Sequence, residues 1–353
     1  MKFLSDAFIK REGRMTPGRA PEMSVLIVTP DDYRTIRRTV RHLAAQTIRH
    51  RLELVVVAPS RDTLGLVEDE VEGFHGVRVV EVGEVTTVAR MKAQGLRAAS
   101  APYVAFAEDH CYPEPEWAAL LLAAHREGWA AVGPTMCNAN PSGTVSWAGL
   151  YLNYGCCLAP SAAGEAGGLP WHNVSYRREL LLQYGEELPG LLAVEGLLLE
   201  DLRAKGHGLY FEAAARTSHV QISRLSSWVR HAFWGGRLFG SARARRKRWP
   251  AWRRLVYACG SPLIPFVRLR RTLPKFYRTG RRELVPRVLP AMFAGLIPHA
   301  FGEAAGYALG AGDAERQYSF YEMRRRAHVN EEDRRALAAE DERIFSVDGK
   351  AEG

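Results

Sequence analysis

The sequence predicts an α/β protein: an open, mostly parallel sheet with helices on both faces, plus a basic, largely helical C-terminal extension. Three observations carry this expectation. Short β-branched runs alternate with segments of helical period through the first 110 residues. A cluster of acids and a histidine follows directly on one of those runs. Beyond about residue 223 the composition turns basic, aromatic and apolar by turns.

SVLIVTP at 24–30 and ELVVVA at 53–58 are continuous apolar runs, the pattern of strands buried on both faces of a parallel sheet. Between them, Ile36, Val40, Leu43 and Ala44 recur at helical spacing, so a strand, a helix and a strand form a βαβ unit. Residues 77–82 read as a third strand. Residues 88–99 read as a helix with Met91, Gly95, Leu96 and Ala99 on one face. Residues 103–107 form a fourth strand that runs into Glu108-Asp109-His110, at the carboxyl end where ligands of open α/β sheets sit. Residues 113–125 begin with prolines and continue as a helix carrying Trp117, Leu120, Leu121 and Ala124. The Gly-, Pro-, Asn- and Ser-rich stretch 131–170 reads as loops and short strands around a cleft. Residues 191–205 read as helix, and 209–211 as a short strand leading towards His219. The expected division is an N-terminal arm (1–22), a sheet domain (23–222), a basic and apolar helical module (223–330) and an acidic tail (331–353).

Composition narrows the class. With 353 residues, 47% hydrophobic and 25% charged, the chain is globular and long enough to bury a substantial core. Its five cysteines are odd in number and show no CxxC spacing, which argues against a disulfide framework or a cysteine zinc site and for a reducing compartment. The first 23 residues contain no apolar signal-peptide core and no small-residue cleavage site, so no secretory signal is expected. The net charge of +9 is regional: between 230 and 287 stand 17 Lys or Arg and a single acid, Glu283. Beyond residue 223 the longest uncharged stretch, 288–302, is broken by Pro290 and Pro298 and falls short of the roughly 20 residues a spanning helix needs. An interfacial segment is the better expectation.

Glu108-Asp109-His110 is the first candidate for chemistry. Carboxylate and imidazole suit a divalent ion such as Mn²⁺, with diphosphate oxygens completing its shell. A polar strand end with a capping acid accounts for the same three residues. The stretch VAFAEDHCYPEPEWAALLL, 104–122, resembles the metal-binding segment of family 2 glycosyltransferases, in which a strand leads to Asp-x-Asp, then prolines and an aromatic before a helix. Glu108 and His110 stand at the two aspartate positions. His110-Cys111 is similar to the Asp-x-His-Cys version in the polypeptide N-acetylgalactosaminyltransferases, relatives on the same fold. SVLIVTP, Gln46-Thr47 and LELVVVAPS are similar to the family's first βαβ unit, and ARMKAQGLRAA, 89–99, to the helix before the metal motif.

The resemblance implies a GT-A, Rossmann-like fold over roughly 24–220 and an inverting, metal-assisted transfer of sugar from a nucleotide sugar, with a UDP-sugar favoured. It implies a donor site at Thr29, Pro30, Asp32, Ser60, Lys92, Glu108 and Asp109. Ala58-Pro59-Ser60 stands where the family has a base-reading acid, and Asp31 or Asp32 is the substitute. LPWHNVSYRR, 169–178, is similar to the family's acceptor and sugar segment, with Trp171 as a stacking platform beside His172 and Asn173. Glu195, eleven residues before Gly206 and followed by Leu198, fits the family's catalytic acid. An acid beside an apolar wall at a helix start has its pKa raised and serves as general base; a helix-dipole role explains the same position. Glu200 and Asp201 compete with it. His219 is the expected third metal ligand with Glu108 and His110, ahead of His207 and His231.

RARRKR at 243–248, Trp249, Trp252, Arg253, Arg254, Arg268, Arg270 and Arg271 repeat a basic-aromatic pattern that suits an anionic membrane surface. The expected place is cytoplasmic, peripheral on the inner face of the cell membrane, with a glycan or lipid-linked acceptor. Basic-aromatic blocks also bind nucleic acid, but no nucleic-acid module is recognised, so nucleic acid is not the expected partner. Nothing in the sequence points to an oligomeric state. Two rival functions stand beside the transferase. A nucleotidyltransferase needs a Gly-rich loop after the first strand, which TPDDYRTIRR lacks. A membrane-attached, non-catalytic sugar-nucleotide-binding or scaffold protein fits a retired active site.

Overall fold

The computed structural model describes residues 8–9 and 20–346. Most of the expected N-terminal arm and the last residues of the acidic tail lie outside the described residues. The strands in chain order are β1 (Phe8–Ile9), β2 (Met23–Val28), β3 (Leu52–Ala58), β4 (Gly76–Glu81) and β5 (Tyr103–Phe106). They continue with β6 (Cys111–Pro113), β7 (Ala131–Asn138), β8 (Gly164–Glu165), β9 (Ser175–Arg177) and β10 (Leu209–His219). The helices begin with α1 (Tyr33–Ala44), α2 (Arg61–Leu64), α3 (Val88–Ala98), α4 (Trp117–Arg126), α5 (Thr144–Tyr154), α6 (Arg178–Leu182) and α7 (Leu188–Leu192). They end with α8 (Glu195–Ala204), α9 (Leu225–Arg246), α10 (Ala251–Gly260), α11 (Ile264–Arg278), α12 (Val285–Leu309), α13 (Ala314–Glu322) and α14 (Glu331–Ser346).

Two compact units form: Met1–Cys137 with Cys156–Ser218, and Asn138–Gly155 with His219–Gly353. The segment 138–155 thus groups with the second unit, where the sequence suggested a single cut near 222.

The first unit carries the sheet, in the order β1-β4-β3-β2-β5-β9-β7-β10-β6, with β8 on β10. The run β4-β3-β2-β5 is parallel, and β9 joins β5 antiparallel. Side chains alternate across a strand, so the unbroken runs of β2 and β3 must be covered twice. Val25, Ile27, Leu54 and Val56 pack in one core with Ile36, Val40 and Leu43 of α1 and Trp117 and Leu121 of α4. On the opposite face α3 comes so close that a Cβ on Gly95 would run into Leu26 and Val57. This is the mixed α/β fold the sequence predicted.

Three local expectations need correction. Residues 131–138 form one eight-residue strand and 144–154 a helix, where loops and short strands were expected. Gly133 in that strand is required by close approach, since a Cβ there would lie 2.7 Å from Pro170. The predicted short strand at 209–211 extends through eleven residues of β10. The helix expected over 191–205 divides at Val194, which leaves the helical conformation (φ −140°, ψ 76°) at the N-cap position of α8.

The second unit is helical. Gly236 and Gly240 on α9 meet His299 and Glu303 on α12, while Gly302 and Gly306 on α12 meet Phe233 and Arg237 on α9. Each contact is to backbone carbonyl oxygen. The paired positions advance together along both helices, so α9 and α12 run parallel with no side-chain layer between these turns. Small residues four apart permit such approach. Pro290 and Pro298 do not break the apolar run as the sequence suggested: α12 continues through both for 25 residues. Arg282–Leu309 is long and apolar enough to cross a membrane, with a mean hydropathy of 1.4, a property that core helices of soluble proteins share. The acidic tail is helical as far as Ser346, and Asp333 is buried, accepting a 3.0 Å hydrogen bond from Asn140.

Candidate active site

The turn after β5 is fixed from below. Thr39 on α1 donates to the carbonyls of Glu108 (3.0 Å) and Cys111 (3.1 Å), and the Cys111 amide donates to Glu108 O (3.1 Å). Gln46 at the end of α1 donates to Glu114 O (2.8 Å) and accepts from the Ala118 amide (2.9 Å), holding the start of α4. The acids and imidazole are therefore placed by backbone hydrogen bonds. All three side chains of 108–110 are buried.

Within the turn, Asp109 Oδ1 lies 2.5 Å from His110 Nδ1, and His110 Nε2 lies 3.6 Å from Glu108 Oε2. Asn173, held at a left-handed φ of 61°, donates to Glu108 Oε2 at 2.9 Å and sits 2.9 Å from Cys111 Sγ. Burial, with Glu108 adding its charge, pushes the Cys111 thiol well above its usual range. Cys111 is thus a neutral thiol, and none of the five cysteines is in a disulfide.

His172 links this turn to a second carboxylate. Its Nδ1 stands 3.3 Å from Glu108 Oε1 and 3.7 Å from Glu195 Oε1. Glu195, at the first turn of α8, is ion-paired to Lys92 at 2.7 Å and accepts from the Tyr176 hydroxyl at 3.4 Å. Burial opposes its ionisation, but Lys92 and then His172 outweigh it and hold the carboxyl below the usual range. This corrects the raised pKa expected of it: the carboxyl is buried, yet a buried cation faces it. Burial and the Glu195 charge drive the Tyr176 hydroxyl well above its ordinary value, so it stays a donor.

The other expected residues separate into two sets. Trp171, 37% exposed, lies against Gly196, where a Cβ would be 3.0 Å from the indole nitrogen. Its ring is thus presented beside Glu195. Asp32 and Ser60, by contrast, are helix N-caps: Asp32 accepts from the Arg34 amide (3.0 Å) and Ser60 from the Thr63 amide (3.0 Å). They and Pro30 stand beyond the carboxyl ends of β2 and β3. Thr29 is buried, with its hydroxyl accepting from the Asp31 amide at 3.2 Å. Lys92 is turned to Glu195. Asp201 bonds Tyr184 (2.7 Å) and Lys205 (2.9 Å), and Glu200 is exposed. His219 belongs to the second unit, where Nε2 contacts Tyr154 Oη (3.1 Å) and Nδ1 contacts Gln221 Nε2 (2.8 Å). His231, also there, pairs with Glu322 at 2.8 Å. Thr39, Gln46 and Tyr176 were not singled out as site residues; a threonine, a glutamine and a tyrosine between Ser175 and Arg177 carry no spacing signal for these contacts.

Residues 24–185 match the model of glycosyl transferase family 2. The match supports a glycosyltransferase domain in this chain. It spans Lys92, the Glu108 turn, His172 and Asn173, and stops before Glu195. Among solved structures, S. aureus TarS 1-349 in complex with UDP aligns with a TM-score of 0.44 and 14% identity, over 80% of this chain and 90% of that one. A second S. aureus TarS structure aligns with a TM-score of 0.45 and 15% identity, over 80% of this chain and 55% of that one. Among curated proteins, none matches the chain.

Proposed function

We propose that the protein transfers a sugar from a nucleotide-sugar donor to a hydroxyl acceptor with inversion, assisted by a divalent ion, Mn²⁺ or Mg²⁺. The reading is carried by the unbroken run of contacts from His110 through Glu108 and His172 to Glu195. It brings a ligand pair and an ionised carboxylate into one cluster of the first unit.

Glu108 and His110 suit a divalent ion. Asp109 takes the Nδ1 side of His110, which leaves the Nε2 lone pair facing Glu108, the arrangement by which an outer carboxylate orients a metal-binding imidazole. Glu108 and His110 would hold such an ion, which would supply positive charge opposite the departing diphosphate. The chain's own groups do the rest. Glu195, already ionised, takes the proton of the acceptor hydroxyl as that oxygen attacks the anomeric carbon and the bond to diphosphate breaks, its electron pair leaving with the diphosphate. Lys92 and Tyr176 occupy its two oxygens, so the acceptor must displace one of them. Trp171 offers a face to a sugar ring, and Asn173 fixes Glu108. The acceptor class is a glycan or a lipid-linked sugar, met at the cytoplasmic side of the membrane.

One observation favours a second reading, a non-catalytic sugar-nucleotide-binding scaffold: both Glu195 oxygens are already engaged. Calorimetry with UDP, GDP and dTDP, with and without Mn²⁺, tests the donor site, and UDP is the nucleotide expected to bind. His110→Ala abolishes the metal dependence. Nucleotide binding without metal-dependent turnover supports the scaffold, and binding of no nucleotide removes both readings.

A further inference from the structure

We infer that the outward faces of α10 and α11 form a docking surface for an anionic lipid bilayer, which the protein contacts without crossing. The inference is independent of the transfer reaction. An ordinary surface helix turns its apolar stripe inward, and α10 does the reverse. None of its residues is buried, and its apolar positions Trp252, Leu255, Val256 and Cys259 recur at the helical spacing of one face. The first three are 68%, 62% and 60% exposed. The inner side of α10 carries only smaller contacts: Arg254 donates to Tyr307 O at 2.7 Å, the Tyr257 ring stacks on Trp249 at 4.2 Å, and Ala258 packs beside them.

Along α11 the pattern repeats. Phe266 and Tyr277, 63% and 65% exposed, bound a shallow groove of about 570 Å³ with Leu269, Arg270, Leu273 and Pro274. Seven of the fifteen large apolar side chains exposed among the described residues fall between 252 and 277, so the exposure is concentrated and marks an interaction surface.

Charge selects the occupant. Residues 251–282 contain nine Lys or Arg and no acid. Arg253, Arg270, Arg271 and Arg278 are exposed among the apolar side chains. A second copy of a chain with net charge +9 brings the same sign to the contact. An anionic bilayer supplies both the apolar depth and the opposite charge. Crossing is not required, because one side of α12 is already closed against α9 by backbone contact and holds the buried Glu303.

Flotation of the full chain with phosphatidylglycerol-containing vesicles and with pure phosphatidylcholine vesicles tests this. Binding to the first is expected, weakened by salt, with little binding to the second. Arg270→Ala with Arg271→Ala lowers partition on the order of thirtyfold. Phe266→Glu lowers it about tenfold or more. Circular dichroism and thermal melting establish that each variant is folded. Brominated lipids supply a measurement independent of those variants: they quench tryptophan emission of the unaltered protein, and Trp252→Phe removes most of that quenching. Absence of binding to anionic vesicles overturns the inference. So does self-association abolished by Phe266→Glu without vesicle binding, or membrane attachment that resists alkaline carbonate, which marks a spanning segment.

Discussion

Glu195 in the first unit and Glu303 in the second are both buried helical carboxylates, and each is held below the usual range. For Glu303, burial again works against ionisation, while His299 at 3.1 Å and the Tyr307 hydroxyl at 2.9 Å prevail. The two differ in their surroundings. Glu303 sits where the helix backbones touch, a Cβ on Gly240 lying 2.6 Å from its carbonyl oxygen, and its carboxylate is held within the helix by His299 and Tyr307. Glu195 starts a helix next to a half-exposed indole and shares His172 with Glu108. The direction of a pKa shift therefore marks neither as functional; the groups that share the carboxylate do.

The largest effect that sharpens this contrast is on turnover. Glu195→Gln lowers transfer by roughly 10²–10⁴-fold with nucleotide binding retained, whereas Glu303→Gln leaves the turnover of folded protein unchanged. Steady-state rates and calorimetry on both variants check it, and equal losses would erase the distinction.

Next in size is a stability effect on the closed side. Gly302→Ala places a methyl against the Phe233 carbonyl, which cannot move aside as a side chain would. It destabilises the protein by about 3 kcal/mol, read from urea unfolding. A loss below about 1 kcal/mol means α9 and α12 adjust more freely than backbone packing allows.

The smallest effect concerns pH. Lys92 counteracts the burial of Glu195, so Lys92→Met leaves His172 alone against burial and the carboxyl rises. The ionised form is the active base, and activity falls as pH drops through its pKa. The acid limb of kcat/KM therefore moves to higher pH in the variant, by about one unit or more. An unmoved limb shows that Lys92 does not set the ionisation of Glu195. The same linkage applies to stability. A depressed carboxyl contributes above its unfolded pKa, and that contribution is lost as pH falls through the folded value.

The βαβ half was legible because its strands are buried twice and announce themselves as apolar runs. The stretch 131–154 was not. Gly133 and Pro134 read as turn residues, although Gly133 answers to the approach of Leu169 and Pro170. The helix 144–154 buries Ser146, Gly149 and Tyr151 together, a mixture whose periodicity does not stand out. Glu108, His110, Asn173 and Glu195 could be named from their resemblance to a known pattern. The pairing of Lys92 with Glu195 spans 103 residues and has no local signal. Asp32 and Ser60 were singled out by their place beyond strands; local capping hydrogen bonds explain them equally well.

The parallel pair α9 and α12 behaves mechanically as a welded joint. Where two helices touch through side chains, rotamer changes act as a lubricant and let one slide or roll against the other. Here carbonyl oxygens rest against glycine Cα positions, so sliding by a fraction of a turn drives backbone into backbone. Bending and twisting are consequently passed on as rigid-body motion, and whatever is attached to either helix moves with both.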